Sequence, residues 1–199
     1  RSIKHIPLGQ QFISLRNGIP LPLLGLGTGG LRIQDGEGGA YSTIANAMHL
    51  GYRTFDLARE YGNEHLISQI LKNPPESPSL LQIDGPHPTM NGIPPRFDMF
   101  FLSKVWPTHL GFWPTTESIE ASLDSMDFNY IDSYLLHWPS CNPKVEWMHC
   151  EDTIDPSGTW IQSWKALERA YSEGKLLSIG VSNFDVTLLD QLLEIAVVK

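Results

Sequence analysis

The chain has 199 residues, 41% of them hydrophobic and 18% charged, which excludes a disordered segment and allows one domain with a real core. Its net charge of -8 argues against nucleic acid and anionic membrane surfaces as partners, because both select basic patches. No apolar run approaches the roughly 20 residues that span a bilayer, and Arg1 to His5 carry no secretory apolar region, so a cytoplasmic protein is expected.

In chain order, Phe12 to Leu15, Asn17-Gly18 and Leu21 to Leu24 read as a β-hairpin, with Asn-Gly supplying the positive φ angles of a tight turn. A strand is expected to run on through Leu26 into Gly27-Thr28-Gly29-Gly30, and residues 31–38 form a polar loop. A helix over about 40–50 puts Ile44, Ala47 and Met48 on one face. The next strand covers about 52–56, and a helix over about 62–72 turns Leu66, Ile70 and Leu71 inward. Residues 73–97 hold seven of the fifteen prolines and read as a long surface loop with no regular element.

A strand over about 98–103 follows, then a helix from Pro114 with Ile119, Leu123 and Met126 at spacings of four and three. After a strand over about 131–136, a mixed loop covers 139–158, and a helix over about 159–173 carries Trp160, Trp164, Leu167 and Tyr171. Gly174 is its expected C′ residue. The last strand is 177–181, and Asp185 is expected to cap a helix with Val186, Leu189, Leu192 and Leu193.

Four of these strands end in a polar residue of chemical use. They lead into Asp56, Lys104, His137 and Ser182-Asn183. In an alternating strand–helix chain the C-terminal ends of parallel strands share one face, where active sites gather. A carboxylate, an ammonium, an imidazole and an amide are therefore expected on one rim. The two cysteines, Cys141 and Cys150, read as reduced thiols of an intracellular protein, and with His149 they match no zinc spacing, so no metal is expected.

Two dinucleotide readings compete. Gly25, Gly27 and Gly30 satisfy G-x-G-x-x-G, and Asp56 stands where a ribose-binding acid ends the second strand of a Rossmann unit. Residues 31–39, however, separate these glycines from the helix they should open. The other reading rests on four segments. Gly51-Tyr52-Arg53-Thr54-Phe55-Asp56-Leu57-Ala58-Arg59-Glu60-Tyr61-Gly62-Asn63-Glu64 resembles the signature of the aldo-keto reductases. Phe101 to Trp106, Tyr134 to Pro139 and Ile179 to Phe184 resemble that family in order and spacing as well.

The resemblance covers residues 12–199 and implies an α/β fold, the (β/α)8 TIM barrel, with an N-terminal hairpin closing its base and about five βα units in this chain. It implies one partial barrel domain, the remainder belonging to a longer parent chain, and an exposed, self-associating wall where strands are missing. The implied reaction is NADPH-dependent reduction of small-molecule aldehydes or ketones. Tyr61 is the implied proton donor. A free phenol has a pKa near ~10, and a neighbouring cation favours the phenolate. Lys104 is the matching cation, Asp56 holds it, and His137 orients the substrate oxygen.

Ser182 and Asn183 resemble the pair that binds the nicotinamide carboxamide, and Thr28 matches a residue lining the cofactor, as does Asp56. Trp106, His137 and Trp138 are candidate substrate contacts, with Phe112 a further aromatic. The chain departs from the family at Leu57, where a small hydroxyl residue is common, and at Gly29, where an aromatic is common and a wider pocket follows. The family's basic loop for the adenosine 2′-phosphate has no counterpart here. The runner-up reading is a catalytically inactive barrel fragment serving as a binding or scaffold module.

Overall fold

The computed structural model describes residues 11–31, 39–75 and 93–198. Two short strands, β1 (Phe12–Ser14) and β2 (Pro20–Pro22), form an antiparallel hairpin. Five further strands form one parallel sheet: β3 (Gly25–Gly27), β4 (Thr54–Asp56), β5 (Phe100–Val105), β6 (Ser133–Leu136) and β7 (Ile179–Val181). Their order in the sheet is their order in the chain. A doubly wound Rossmann sheet reverses direction at a switch point. This sheet has none, which excludes the Rossmann reading and leaves the singly wound order of a barrel wall.

Five helices follow the strands: α1 (Ala40–His49), α2 (Glu64–Lys72), α3 (Phe112–Met126), α4 (Trp160–Ser172) and α5 (Val186–Ile195). Alternation along each strand separates two faces. Ser103 donates to buried Glu64 of α2 at 2.6 Å, and the Tyr134 hydroxyl meets Ser122 of α3 at 3.0 Å. Phe101, Ser103, Tyr134 and Leu136 thus face the helices. Phe55 and Phe101 stack at 5.8 Å in that layer, and burial of each ring stabilises by roughly 2–3 kcal/mol. The opposite parity sends Asp56, Lys104 and, one step past β6, His137 to the inner face.

The helix starts are set locally. Thr159 accepts from the Gln162 N–H while the Gln162 side chain accepts from Thr159, a reciprocal cap that opens α4. Asp185 accepts from Leu188 N–H at 2.8 Å and opens α5. Gly174 has φ 78° and follows α4 as expected of a C′ residue. Helix α3 begins two residues before Pro114, at Phe112, because Gly111 with φ 116° turns the chain into it.

Several expectations are corrected. In the hairpin turn only Gly18 takes positive φ, at 84°. Asn17 instead uses its side chain, accepting from Ile19 N–H and donating 2.7 Å to Leu177 O, which ties the hairpin to the strand end beneath it. Residues 76–92 of the proline-rich loop lie outside the described residues, but Arg96–Asp98 forms a 3-10 turn where no regular element was expected. The helix capped by Asp185 is present, and along its apolar stripe Leu192 is buried whereas Val186, Leu189 and Leu193 are exposed. Finally, Cys141 and Cys150 are not free thiols. They form a disulfide with Cα atoms 5.7 Å apart, within the usual range for the bond. The loop doubles back through a 3-10 turn at Glu146–Met148 to bring them together. The argument from reduced thiols to an intracellular protein falls with this, and Cys150 is unavailable to a metal.

Candidate active site

The site starts from three adjacent strand ends. Lys104, at the end of β5, is buried, and its ammonium is held by the Asp56 carboxylate of β4 and by Leu57 O at 2.8 Å. An ammonium has three N–H donors. Two are engaged here, and the charge lies 5.0 Å from the centre of the Tyr61 ring. Tyr61 sits in a 3-10 turn, Arg59–Tyr61, between β4 and α2, where the αL conformation of Gly62 (φ 65°) ends the turn and leaves the ring half-buried at the rim. Leu57, where the resemblance led to a small hydroxyl residue, contributes its backbone: its N–H donates to Leu102 O and its carbonyl receives Lys104.

His137 follows β6. Its ring centre is 5.9 Å from Tyr61, edge to face, and 5.1 Å from Trp106. Burial, then the nearby Lys104 charge, push its pKa down to about 4, with Asp56 opposing. The imidazole is neutral at pH 7. Its buried Nδ1 has no hydrogen-bond partner among the described residues, so the tautomer protonated at Nε2 leaves a bare lone pair at the dry atom instead of a stranded N–H donor. His137 N–H donates to Val105 O, which fixes the backbone between β5 and β6.

The remaining sequence candidates take graded positions. Asn183 has φ 59° and donates 2.7 Å to His137 O and 3.1 Å to the Ser182 hydroxyl. Ser182 N–H donates to Leu136 O. Ser182 thus keeps its own O–H and Asn183 its amide oxygen, one donor and one acceptor next to the His137 backbone. A primary carboxamide needs that complement, so the pair fits a nicotinamide ring. Thr28 is fully buried, and its hydroxyl donates to Asp56 O at 2.9 Å. Asn63 donates to Thr28 O at 3.1 Å. Both fasten the strand end that carries Asp56, and Asn63 was not singled out by sequence reasoning.

Trp106 is nearly buried, and its indole N–H donates to Met148 O at 3.2 Å. Trp138 lies 6.5 Å from His137. A third indole joins them: Trp147, 5.8 Å from each of Trp106 and Trp138. No periodic pattern in the loop sequence marks it. The only signal was its position between two cysteines nine residues apart. Phe112 lies on α3, packed on Trp113 and under the Arg169 guanidinium, away from this cluster. At Gly29 the Tyr61 phenol packs close to the backbone: an added Cβ would stand 3.0 Å from its Cζ.

The sequence profile described as Aldo/keto reductase family matches residues 23–199. Two proteins of Bacillus subtilis are similar: an uncharacterized oxidoreductase, YtbE, 32% identical, with 94% of this chain and 55% of that protein covered, and a glyoxal reductase, 31% identical, with 94% and 54% covered. This chain therefore spans about half the length of these curated relatives. Among solved structures, an aldo/keto reductase from Brucella melitensis has a TM-score of 0.69 at 27% identity, covering 96% of this chain and 60% of that one. A silkworm (Bombyx mori) aldo-keto reductase complexed with NADPH has a TM-score of 0.74 at 26% identity, covering 96% and 53%.

Proposed function

Because the chain belongs to the aldo/keto reductase family, we propose that it reduces aldehydes or ketones to alcohols, with NADPH as the hydride donor and Tyr61 as the proton donor. The observation that carries this reading is the buried Lys104 ammonium, shared by Asp56 and Leu57 and lying under the Tyr61 ring next to a neutral His137. The NADPH-bound neighbour supports the cofactor, and the relative named glyoxal reductase supports the carbonyl substrate.

The chemistry follows from what each group can hold. Ser182, through its O–H, and Asn183, through its amide oxygen, would hold the nicotinamide carboxamide. When bound, the reduced nicotinamide supplies a hydride to the carbonyl carbon. His137, neutral and protonated at Nε2, donates a hydrogen bond to the carbonyl oxygen and fixes its direction. As the C=O π bond opens, the oxygen takes the Tyr61 proton, so one C–H and one O–H bond form. The phenolate left behind is stabilised by Lys104, whose own charge Asp56 holds in place. Trp106 and Trp138 wall the substrate side.

The test is saturable quenching of tryptophan fluorescence by NADPH, together with NADPH oxidation on a generic aldehyde. Tyr61→Phe keeps the binding and lowers turnover by about 10³-fold, the size of a lost general acid. Turnover unchanged in Tyr61→Phe overturns the role of Tyr61. A folded chain that binds no NADPH favours the binding-module reading.

A further inference from the structure

We propose that Trp147 is a specificity-determining residue that selects aromatic carbonyl substrates, and that the Cys141–Cys150 disulfide is its positioning element. This rests on the reductase reading for what is bound beside His137.

The argument begins with how the segment is held. Residues 142–149 pair with no strand and form only a single 3-10 turn. Beyond the hydrogen bonds of their own turns, they are fixed by the Trp106 indole N–H on Met148 O at 3.2 Å, the Asn142 N–H on Met148 Sδ at 3.3 Å, the burial of Met148, and the disulfide closing both ends. Trp147 lies between these anchors, so its ring is carried into place by its neighbours.

Trp147 is 53% exposed although its ring meets two other indoles at 5.8 Å. An indole left half uncovered beside two more is apolar, polarisable surface that a flat ring covers well. Trp106 offers no competing polar group, because its single donor is spent on Met148 O. Trp106 also links the site to this wall, 5.1 Å from His137 on one side and 5.8 Å from Trp147 on the other. A carbonyl held at His137 brings a ring attached to it against Trp106 and Trp147. A short alkyl ketone leaves Trp147 bare.

The test uses the full chain and two ketone probes, 2-acetonaphthone and acetone, read by calorimetric binding and by kcat and KM for NADPH oxidation. Titration of thiols in the unfolded, unreduced chain is expected to find none. Trp147→Ala is expected to weaken 2-acetonaphthone about tenfold, equivalent to about 1.4 kcal/mol, through KM with kcat held, and to leave acetone unchanged. Trp147→Phe keeps affinity within about threefold. The Cys141→Ser, Cys150→Ser double variant, folded by circular dichroism, weakens the naphthyl probe about fivefold and leaves acetone unchanged. Naphthyl affinity unchanged in Trp147→Ala, or no naphthyl binding by the folded chain, overturns the proposal. Unchanged affinity in the serine pair, or two free thiols, overturns the disulfide's part in it. Naphthyl binding that responds as expected without NADPH oxidation leaves the subsite standing and sinks the reductase reading alone.

Discussion

Two regions meet at the rim and obey different rules. Asp56, Lys104 and His137 stand at the ends of three hydrogen-bonded neighbours, β4, β5 and β6, where register and alternation leave their side chains one inner face to share. The loop over 139–158 has no ladder. A disulfide, a buried methionine and one indole N–H hold its first part, and a single backbone bond, Ile154 N–H to Thr108 O at 3.0 Å, joins its second part to the segment after β5. On the proposed reading, backbone geometry fixes the groups assigned to chemistry, and mainly side-chain contacts fix the groups assigned to substrate choice. The strand ends should govern kcat, and the loop should govern KM and selectivity.

The widest separation is expected at Lys104. Lys104→Met keeps the length and removes the charge, leaving Asp56, about half exposed, to be solvated by water. We expect kcat to fall about 10³-fold, or about 4 kcal/mol of transition-state stabilisation, with the fold intact. Serine at both cysteines should move kcat by less than about threefold. Steady-state kinetics on the two variants checks this, and comparable losses in kcat would erase the distinction between the regions.

The next effect is on stability, and it belongs to the loop. Gly158 ends the loop against the Leu110 carbonyl, where an added Cβ would stand 2.1 Å from the oxygen. Backbone cannot yield as a flexible side chain does, so Gly158→Ala should cost about 2–3 kcal/mol and lower Tm by several degrees. A melt within 1 °C or so of the parent would show the loop end to be slack.

A third effect separates the regions by pH. His137 titrates near 4 when folded, against about 6.5 when unfolded. The unfolded chain therefore takes up the proton first as pH falls. Stability from this group is complete above about 6.5, declines down to about 4, and changes no further below. Denaturant unfolding across that window should show the decline in the parent chain and a flatter profile in His137→Asn. A profile unchanged by the substitution would mean that His137 is not held as a dry, neutral ring.

The same division explains what the sequence disclosed. Asp56, Lys104, His137 and Asn183 were legible because each closes an apolar run, and parallel topology collects such ends. The α/β alternation was legible for the same reason, since helix and strand periods alternate from Ala40 onward, whereas the barrel in place of a doubly wound sheet came from the family resemblance. The disulfide was not, because pairing depends on a loop doubling back, and a separation of nine says nothing of that. Trp147 was hidden with it. The exposure of α5 was hidden too, since Val186, Leu189 and Leu193 make a regular stripe whether or not anything covers them. The close approach of the Tyr61 ring to Gly29 was hidden as well, since it depends on how the 3-10 turn at Arg59–Tyr61 folds over the end of β3.

The smallest effect tests where the loop's order comes from. Thr159 follows Gly158 and opens α4, accepting 3.3 Å from Gln162 N–H while its own N–H donates 2.9 Å to Gln162 Oε1. Thr159→Ala removes the first of these bonds and keeps the second. Thr159 is exposed, so water replaces part of what is lost. The Ser163 hydroxyl still donates to the Thr159 carbonyl at 3.2 Å, because that contact uses backbone. The expected cost is about 0.5–1 kcal/mol, or roughly 2–3 °C in Tm. If the disulfide and Met148 place Trp147, this cap lies downstream of the anchors, and the ratio of KM values for aromatic and alkyl ketones should not move. A shift in that ratio in Thr159→Ala would mean that the helix start orders the loop from its far end, and that the division between strand-fixed and side-chain-fixed regions is drawn in the wrong place.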